Sequence, residues 1–392
     1  MNIEGLRASP VGELIPIQGF DARWNRRYEH WAFSPAMLPE QIRLSVETQF
    51  QMSEADRFLG NLNARIKFLP NPRLLVRAAL RSEAKSTSAI EGTYATLDEI
   101  LKAEYVDNDY QSGNIQEILN YVRAATRGLG LIETLPISKR VLEELHGILI
   151  RGTRGDGFDA GRLRQKQVFV GEEGAPVEAA RFIPVPNGSL LEAGFSDWEK
   201  WVNADHMVPL LAKVALAHYQ FETLHPFSDG NGRLGRLIIT LQLVAARELE
   251  YPILNLSAWL EPRKDEYIDA LMSGSLTGDY DSWIQFFCRG IASRAQATLR
   301  TIDSLFAYRD GIVTRASLAN ERSISVEIAD FVIGNPVFTI EELRQALGVA
   351  TNTAASRVRA LERLNVVREV TGASYGRVFF APQVSALLDE PR

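Results

Sequence analysis

Cysteine is nearly absent from this chain: Cys288 is the single one in 392 residues. That excludes a disulfide framework. The apolar run Trp283-Ile284-Gln285-Phe286-Phe287-Cys288 makes a buried, inert thiol the expectation. Long hydrophobic runs are missing as well. No stretch approaches the roughly 20 apolar residues of a membrane span, and the first residues lack the basic-then-apolar pattern of a secretory signal. A cytoplasmic location is therefore expected. Charge of one sign is scarce: 43 basic against 49 acidic residues give a net charge of −6, too mild for a global nucleic-acid or membrane field. Histidine is scarce too, and His146, His206 and His218 show no metal-ligand spacing, which argues against bound zinc. What remains is an ordinary globular composition, 46% apolar and 23% charged, long enough for two or three domains.

Against that plain background one stretch stands out: His225-Pro226-Phe227-Ser228-Asp229-Gly230-Asn231-Gly232-Arg233-Leu234-Gly235-Arg236. The run Leu210–Phe221 before it, rich in Ala and Leu and without a breaker, predicts a helix. Pro226 stops that helix, and the apolar run Leu237–Val244 predicts another. The motif is thus a helix-loop-helix with its loop at the positive end of the second helix, a geometry that suits polyphosphate. Gly230, Gly232 and Gly235 let backbone N–H groups approach an anion. Arg233 and Arg236 can each fork donors onto phosphate oxygens. Asp229 is an oxygen ligand of the type Mg²⁺ takes beside substrate phosphates, and His225 has the pKa range of a general base. Two other readings are weaker. The Gly230-x-Gly232-x-x-Gly235 spacing matches a dinucleotide fingerprint, but that needs a preceding strand and a helix stands there. A bland glycine-rich connection with solvated arginines explains the glycines alone.

The stretch resembles the signature of the Fic family, His-Pro-Phe-x-Asp-Gly-Asn-Gly-Arg-x-x-Arg, at every fixed position. The resemblance implies an adenylyltransferase that moves AMP from ATP to a Tyr, Thr or Ser hydroxyl of a protein. It implies that His225 deprotonates the hydroxyl, that Asp229 holds Mg²⁺ and that Asn231 orients the α-phosphate. The loop through Gly230, Gly232, Arg233, Leu234 and Gly235 would cradle the phosphates, and Arg236 would bind the γ-phosphate.

Upstream, Leu69-Pro70-Asn71-Pro72 reads as a break, with Asn71 as N-cap and Pro72 at the first helical position. A helix is expected from Arg73 to about Glu91, ended by Gly92 in the left-handed conformation. Glu91 sits oddly there, because a carboxylate at a helix C-terminus opposes the macrodipole. Thr87, Glu91 and Gly92 match the Ser/Thr-x-x-x-Glu-Gly/Asn motif of Fic inhibitory helices. The resemblance implies that Glu91 competes for Arg236 and blocks the γ-phosphate site. Residues 1 to about 35 lack periodicity and are expected to form an irregular arm. Helical pattern runs from Pro39 to Phe68, over Glu117–Ala124 and from Pro136 to Leu149.

Between that last helix and the signature, Gly161–Gly171 and Ala179–Pro186 shift to strand character and predict an edge hairpin. In the family this region resembles the flap that aligns the target, with Val170 and Gly171 at its turn. After the signature, Leu256–Leu271 resembles the family helix beside the adenine. Tyr267 takes the first position of its usual tyrosine pair and Ile268 departs from the second.

The C-terminal part predicts a helix near Ser325–Ile333, a Thr339/Glu342 capping box, a helix end at Gly348, a second helix from Thr351, and strands over Val366–Val370 and Arg377–Ala381. That order resembles a winged helix-turn-helix. Six Arg against four Glu from Pro336 to Ala381, with Arg377 on the wing, make DNA a candidate partner.

The expected fold is mostly α, with a Fic helical core bearing a β-hairpin flap. The expected domains are an N-terminal helical region with the inhibitory helix over 1–110, the catalytic core over 111–312 and the winged unit over 320–392. ATP and Mg²⁺ are the implied substrate and ion. The implied partners are a target protein with an acceptor hydroxyl, the protein itself, DNA, and a second copy in a homodimer; no membrane partner is implied. Alternatives are removal of AMP from a modified protein, and a DNA-binding regulator whose core only senses nucleotide.

Overall fold

The computed structural model describes residues 1–67, 72–103, 105, 113–172, 174–372 and 376–389. In chain order the elements are α1 Ile3–Arg7, β1 Gly12–Asp21, β2 Arg26–Pro35, α2 Val46–Ile66, α3 Pro72–Ile90, α4 Leu97–Ala103, α5 Gly113–Ile132 and α6 Lys139–Leu149. Then come α7 Ser189–Asn203, α8 Leu210–Leu224, α9 Asn231–Ala245, α10 Ser257–Leu260, α11 Lys264–Thr277 and α12 Tyr280–Leu318. The chain closes with α13 Val326–Gly334, β3 Val337–Thr339, α14 Ile340–Leu347, α15 Thr351–Arg363, β4 Arg368–Glu369, β5 Val378–Phe380 and α16 Pro382–Asp389. The fold is mostly helical, with one long β-hairpin and a small C-terminal sheet. Among the described residues no helix is long and apolar enough to cross a membrane.

Two compact units divide the chain without following its linear order. The first comprises Met1–Asp56, Asn120–Glu248 and Trp259–Ala292; the second comprises Arg57–Leu119, Leu249–Ala258 and Ser293–Arg392. Within the second unit, α4 finds apolar partners near the C-terminal end of the chain, at Val337, Val378 and Phe380.

In the first unit α8 is the central rod. Twelve of its residues are buried, on every face, as expected of a helix apolar all round. Two indoles bond to its carbonyls: Trp198 Nε1 donates to Ala217 O at 2.9 Å and Trp283 Nε1 to Ala215 O at 2.8 Å. α9 packs against α8 and is joined to it by the signature loop. Cys288 is fully buried, and burial pushes its thiol up to about 12, so it is inert at neutral pH.

Two expectations are corrected in this unit. Residues 12–35 are no irregular arm: β1 and β2 pair antiparallel over ten residues each, from Gly12↔Pro35 to Asp21↔Arg26. Asn25 in the connecting turn takes φ +48°, a left-handed conformation that Asn tolerates. Conversely, among the described residues of Gly161–Pro186 no strand ladder forms; one antiparallel bridge, Val170↔Phe182, marks the flap. Pro184 and Pro186 have no N–H to donate, so the pairing cannot extend. The hairpin backs the flap instead, with Phe33 N donating to Ile183 O at 2.8 Å and Tyr28 edge-on to Phe169 at 5.5 Å.

In the second unit α3 begins at Pro72, and Gly92 follows it at φ +86° as a left-handed C′ residue. The Asn71 cap expected before it lies outside the described residues. Leu97 and Leu101 of α4 share one apolar cluster with Val337, Val378 and Phe380 of the C-terminal sheet. Lys85 of α3 pairs with Asp389 of α16, and Ser385 Oγ donates to Asp98 Oδ1 at 2.6 Å. The sheet order is β3-β5-β4, all antiparallel. The capping box is present: Glu342 N donates to Thr339 Oγ1 at 3.2 Å and Thr339 N to Glu342 Oε2 at 2.7 Å. Gly348 ends α14 at φ +62°. The tip expected between the last two strands, Ala373-Ser374-Tyr375, lies outside the described residues.

Candidate active site

The site forms where the negative end of α8 meets the positive end of α9. His225 is the C-cap of α8 with φ +48°, and Gly230 is the N-cap of α9 with φ +76°. A side chain held left-handed beside a helix end is unusual and costs about 1 kcal/mol or more. The first-turn N–H groups of α9 have no partner within their own helix and face the site from its positive end.

Asn231 closes the loop. Its Oδ1 accepts from Phe227 N at 2.9 Å and its Nδ2 donates to Phe227 O at 2.8 Å, both buried. Its amide thus bonds at both ends to the loop backbone. Asp229 Oδ1 accepts from Gly230 N at 2.6 Å and lies 3.6 Å from Arg233 Nη2. Arg233 is 1% exposed and Arg236 3% exposed, so the two arginines are buried fixtures and not solvated decoration. The Asp229 side chain remains 37% exposed. Gly155 lies behind it; a Cβ there would stand 2.4 Å from Asp229 Oδ2.

Gly235 proves to be a helix-packing glycine. A Cβ at this position would meet Glu222 Oε1 at 2.3 Å and His218 and Phe221 at 3.2 Å. It lets α9 cross α8 closely, and Leu234 is fully buried on the same helix. Tyr267 is 3% exposed, its hydroxyl 2.7 Å from His218 Nε2 and its ring against Trp283. It packs into the helical core, while Ile268 is half-buried. Burial pulls the His218 pKa down to about 3, so this imidazole is neutral.

Three side chains outside the signature hold it in place. His146 Nδ1 accepts from Gly161 N at 3.0 Å, which leaves Nε2–H to donate to Asp229 O at 3.0 Å. Its ring stacks on Phe227 at 4.0 Å, and burial lowers its pKa to about 4. Ser228 Oγ donates to the buried Asp159 Oδ2 at 2.6 Å. Arg164 binds the backbone at the start of the loop, with Nε donating to His225 O and its own N–H to Pro226 O, both at 2.9 Å. These residues lie 61 to 83 positions from their partners, and no local pattern in the sequence marks them.

The Asp229 carboxylate fits a divalent cation that carries most of its own ligands. The side chain is partly exposed beside a helix N-terminus, and no group of three or more His, Cys, Asp or Glu that could hold a metal occurs among the described residues. A cation here would depend on substrate phosphate oxygens, as Mg²⁺ in nucleotide sites does. Thr87 is fully buried within α3, and Glu91 follows that helix half-buried, both in the second unit. Val170 and Gly171 are on the flap, in the first unit with the signature.

Comparison with known proteins agrees with this geometry. Residues 50–130 match the Fic/DOC family N-terminal model and residues 136–243 the Fic/DOC family model. The protein adenylyltransferase fic-1 of Caenorhabditis elegans is 36% identical over 88 residues, covering 22% of this chain and 15% of that protein. The protein adenylyltransferase Fic of Drosophila melanogaster is 31% identical over 130 residues, covering 33% of this chain and 23% of that one. The chain therefore spans under a quarter of the length of these relatives. A crystal structure of a Fic family protein from Desulfovibrio desulfuricans superposes over 87% of this chain and 97% of its own, with TM-score 0.56 and 19% identity. Fic-1 of C. elegans superposes over 65% of this chain and 74% of its own, with TM-score 0.51 and 22% identity. The fold is the Fic fold. Within that fold, residues 50–130 and 136–243 are the segments similar to the Fic/DOC family models, and the chain is distantly similar to the Fic protein adenylyltransferases.

Proposed function

We propose that the protein is an adenylyltransferase that transfers AMP from ATP to a hydroxyl side chain of a protein, itself included. The observation that carries this reading is the convergence of His225, Asp229 and buried Arg233 on one loop between opposed helix ends. In the reaction the acceptor oxygen attacks the α-phosphorus, the bond to the β-phosphate oxygen breaks, and pyrophosphate leaves. His225 takes the hydroxyl proton. Arg233, Arg236 and the first-turn N–H groups of α9 stabilise the charge that builds on the leaving pyrophosphate. Asp229 would hold Mg²⁺ brought with ATP, and the ion would supply positive charge beside the phosphates. Asn231 acts by holding the loop, through Phe227, in the shape the phosphates meet.

Glu91 is the brake in this reading: its carboxylate competes with the γ-phosphate for Arg236, and displacement of the α3 end admits ATP. The C-terminal order α13-β3-α14-α15-β4-β5 supports a winged helix-turn-helix, with the exposed start of α15 and Arg377 offered to duplex DNA.

The test compares wild type, Glu91→Gly and Glu91→Gly/His225→Ala with α-labelled ATP and Mg²⁺, alone and in lysate. Labelling that rises with Glu91→Gly and disappears without His225 is expected. Absence of labelling in all three, with ATP still bound, would replace the transferase by a nucleotide-sensing DNA regulator.

A further inference from the structure

Arg164 is 1% exposed, and its side chain ends among backbone carbonyls. Nε donates to His225 O at 2.9 Å, Nη1 to Lys166 O at 3.3 Å, and Nη2 to Val185 O. Its backbone N–H adds a bond to Pro226 O. One residue therefore joins three segments: the start of the flap, its return at Val185, and the histidine that ends α8.

The charge is satisfied by position. His225 is the C-cap of α8, so the guanidinium lies at the negative end of that helix, where a cation is stabilised. Burial draws its pKa down to about 10, which leaves it charged at neutral pH. Its own backbone is fixed from behind: Gly161, with φ +74°, is held by His146, and Asp159 accepts from Gln165 N at 3.3 Å. A fixed anchor is what a left-handed His225 requires, because nothing in its own conformational preference keeps it there.

We propose that Arg164 is a positioning residue for the transfer step: it fixes the backbone of His225 relative to the flap, so that the base and the docked hydroxyl meet in register. The inference rests on the reading of His225 as general base. Arg164 touches no phosphate in this scheme, so it sets the rate of transfer and leaves ATP binding alone. Lysine cannot replace it, since one ammonium on a flexible stem cannot hold three divergent carbonyls in a fixed plane.

The test is made in the Glu91→Gly background, with the protein as its own acceptor. Arg164→Lys is measured for rate at saturating ATP, KM for ATP, and melting temperature. Arg164→Ala is measured with and without millimolar guanidinium ion. The expected result is a rate lower by about 10- to 100-fold, as for a displaced catalytic group, with KM for ATP within about twofold of the parent. Guanidinium should restore part of the Arg164→Ala rate. An unchanged rate in Arg164→Lys, or a rate and ATP affinity that fall together, would overturn the proposal while the transferase reading stands. No labelling in the Glu91→Gly parent itself would remove that reading, and the proposal with it.

Discussion

Asn231 holds Phe227 by both atoms of its amide, accepting from the N–H at 2.9 Å and donating to the carbonyl at 2.8 Å. Asn231→Asp replaces the donor by a second acceptor and turns it on a carbonyl oxygen in a buried site. A loss of about 2 kcal/mol is expected from the orphaned carbonyl and the buried charge. Urea unfolding followed by tryptophan fluorescence checks it; a midpoint within error of wild type would show that the loop holds without the clamp.

His146 makes stability pH-dependent. Its pKa in the folded protein is about 4 against an ordinary 6.5, because burial disfavours the imidazolium. Above pH 6.5 both states are neutral there and its contribution is complete. As pH falls from 6.5 toward 4 the unfolded chain takes the proton first, and about 3 kcal/mol is lost over that window. His218, drawn down to about 3, adds in the same direction. Urea midpoints from pH 7.5 to 4.5 should fall less steeply in His146→Gln than in wild type, since glutamine has no proton to gain.

Gly235→Ala should destabilise the first unit by about 1 to 3 kcal/mol, as overpacking does. The Glu222 carboxylate can swing away, but the buried Phe221 and His218 rings, each 3.2 Å from the new methyl, must yield. Thermal melting gives the answer. A neutral substitution would mean that the helix crossing relaxes more freely than its contacts suggest.

Leu101→Ala opens a cavity in the cluster with Val337, Val378 and Phe380 and should destabilise the second unit by about 2 to 5 kcal/mol. All six tryptophans (24, 31, 198, 201, 259 and 283) belong to the first unit. The far-ultraviolet helical signal should therefore gain an early transition while the tryptophan fluorescence midpoint stays put. A fluorescence midpoint that moves equally far would show the two units melting as one.

Local chemistry in the sequence marks what local chemistry decides. Pro226 and Pro72 mark helix boundaries, Gly92 and Gly348 mark left-handed ends, and Thr339 with Glu342 marks a cap. The hairpin at 12–35 is obscured because Pro16 and two glycines interrupt the alternation that would reveal β1. The flap reads as paired strands because Val and Phe favour them, yet Pro184 and Pro186 end the ladder after one bridge. Asn231 and Gly235 have packing roles that the loop alone does not show. Their side-chain space is set by Phe227 within the loop and by Glu222, His218 and Phe221 of α8, which spacing alone does not reveal. Arg164, His146 and Asp159 are invisible for a related reason: each serves a backbone or hydroxyl group more than sixty residues away.

The second unit also sets an order of events during synthesis. Leu97 and Leu101 leave the ribosome nearly 240 positions before Val337, and Phe380 and Asp389 come later still. The whole signature, from His225 to Arg236, is made in that interval. At translation rates of about 5 to 20 residues per second, the helix that leads to Glu91 waits on the order of ten seconds or more for the partners that bury its neighbours. During that time the first unit has its loop, its histidine and its arginines, while the segment that carries the carboxylate is still without its core.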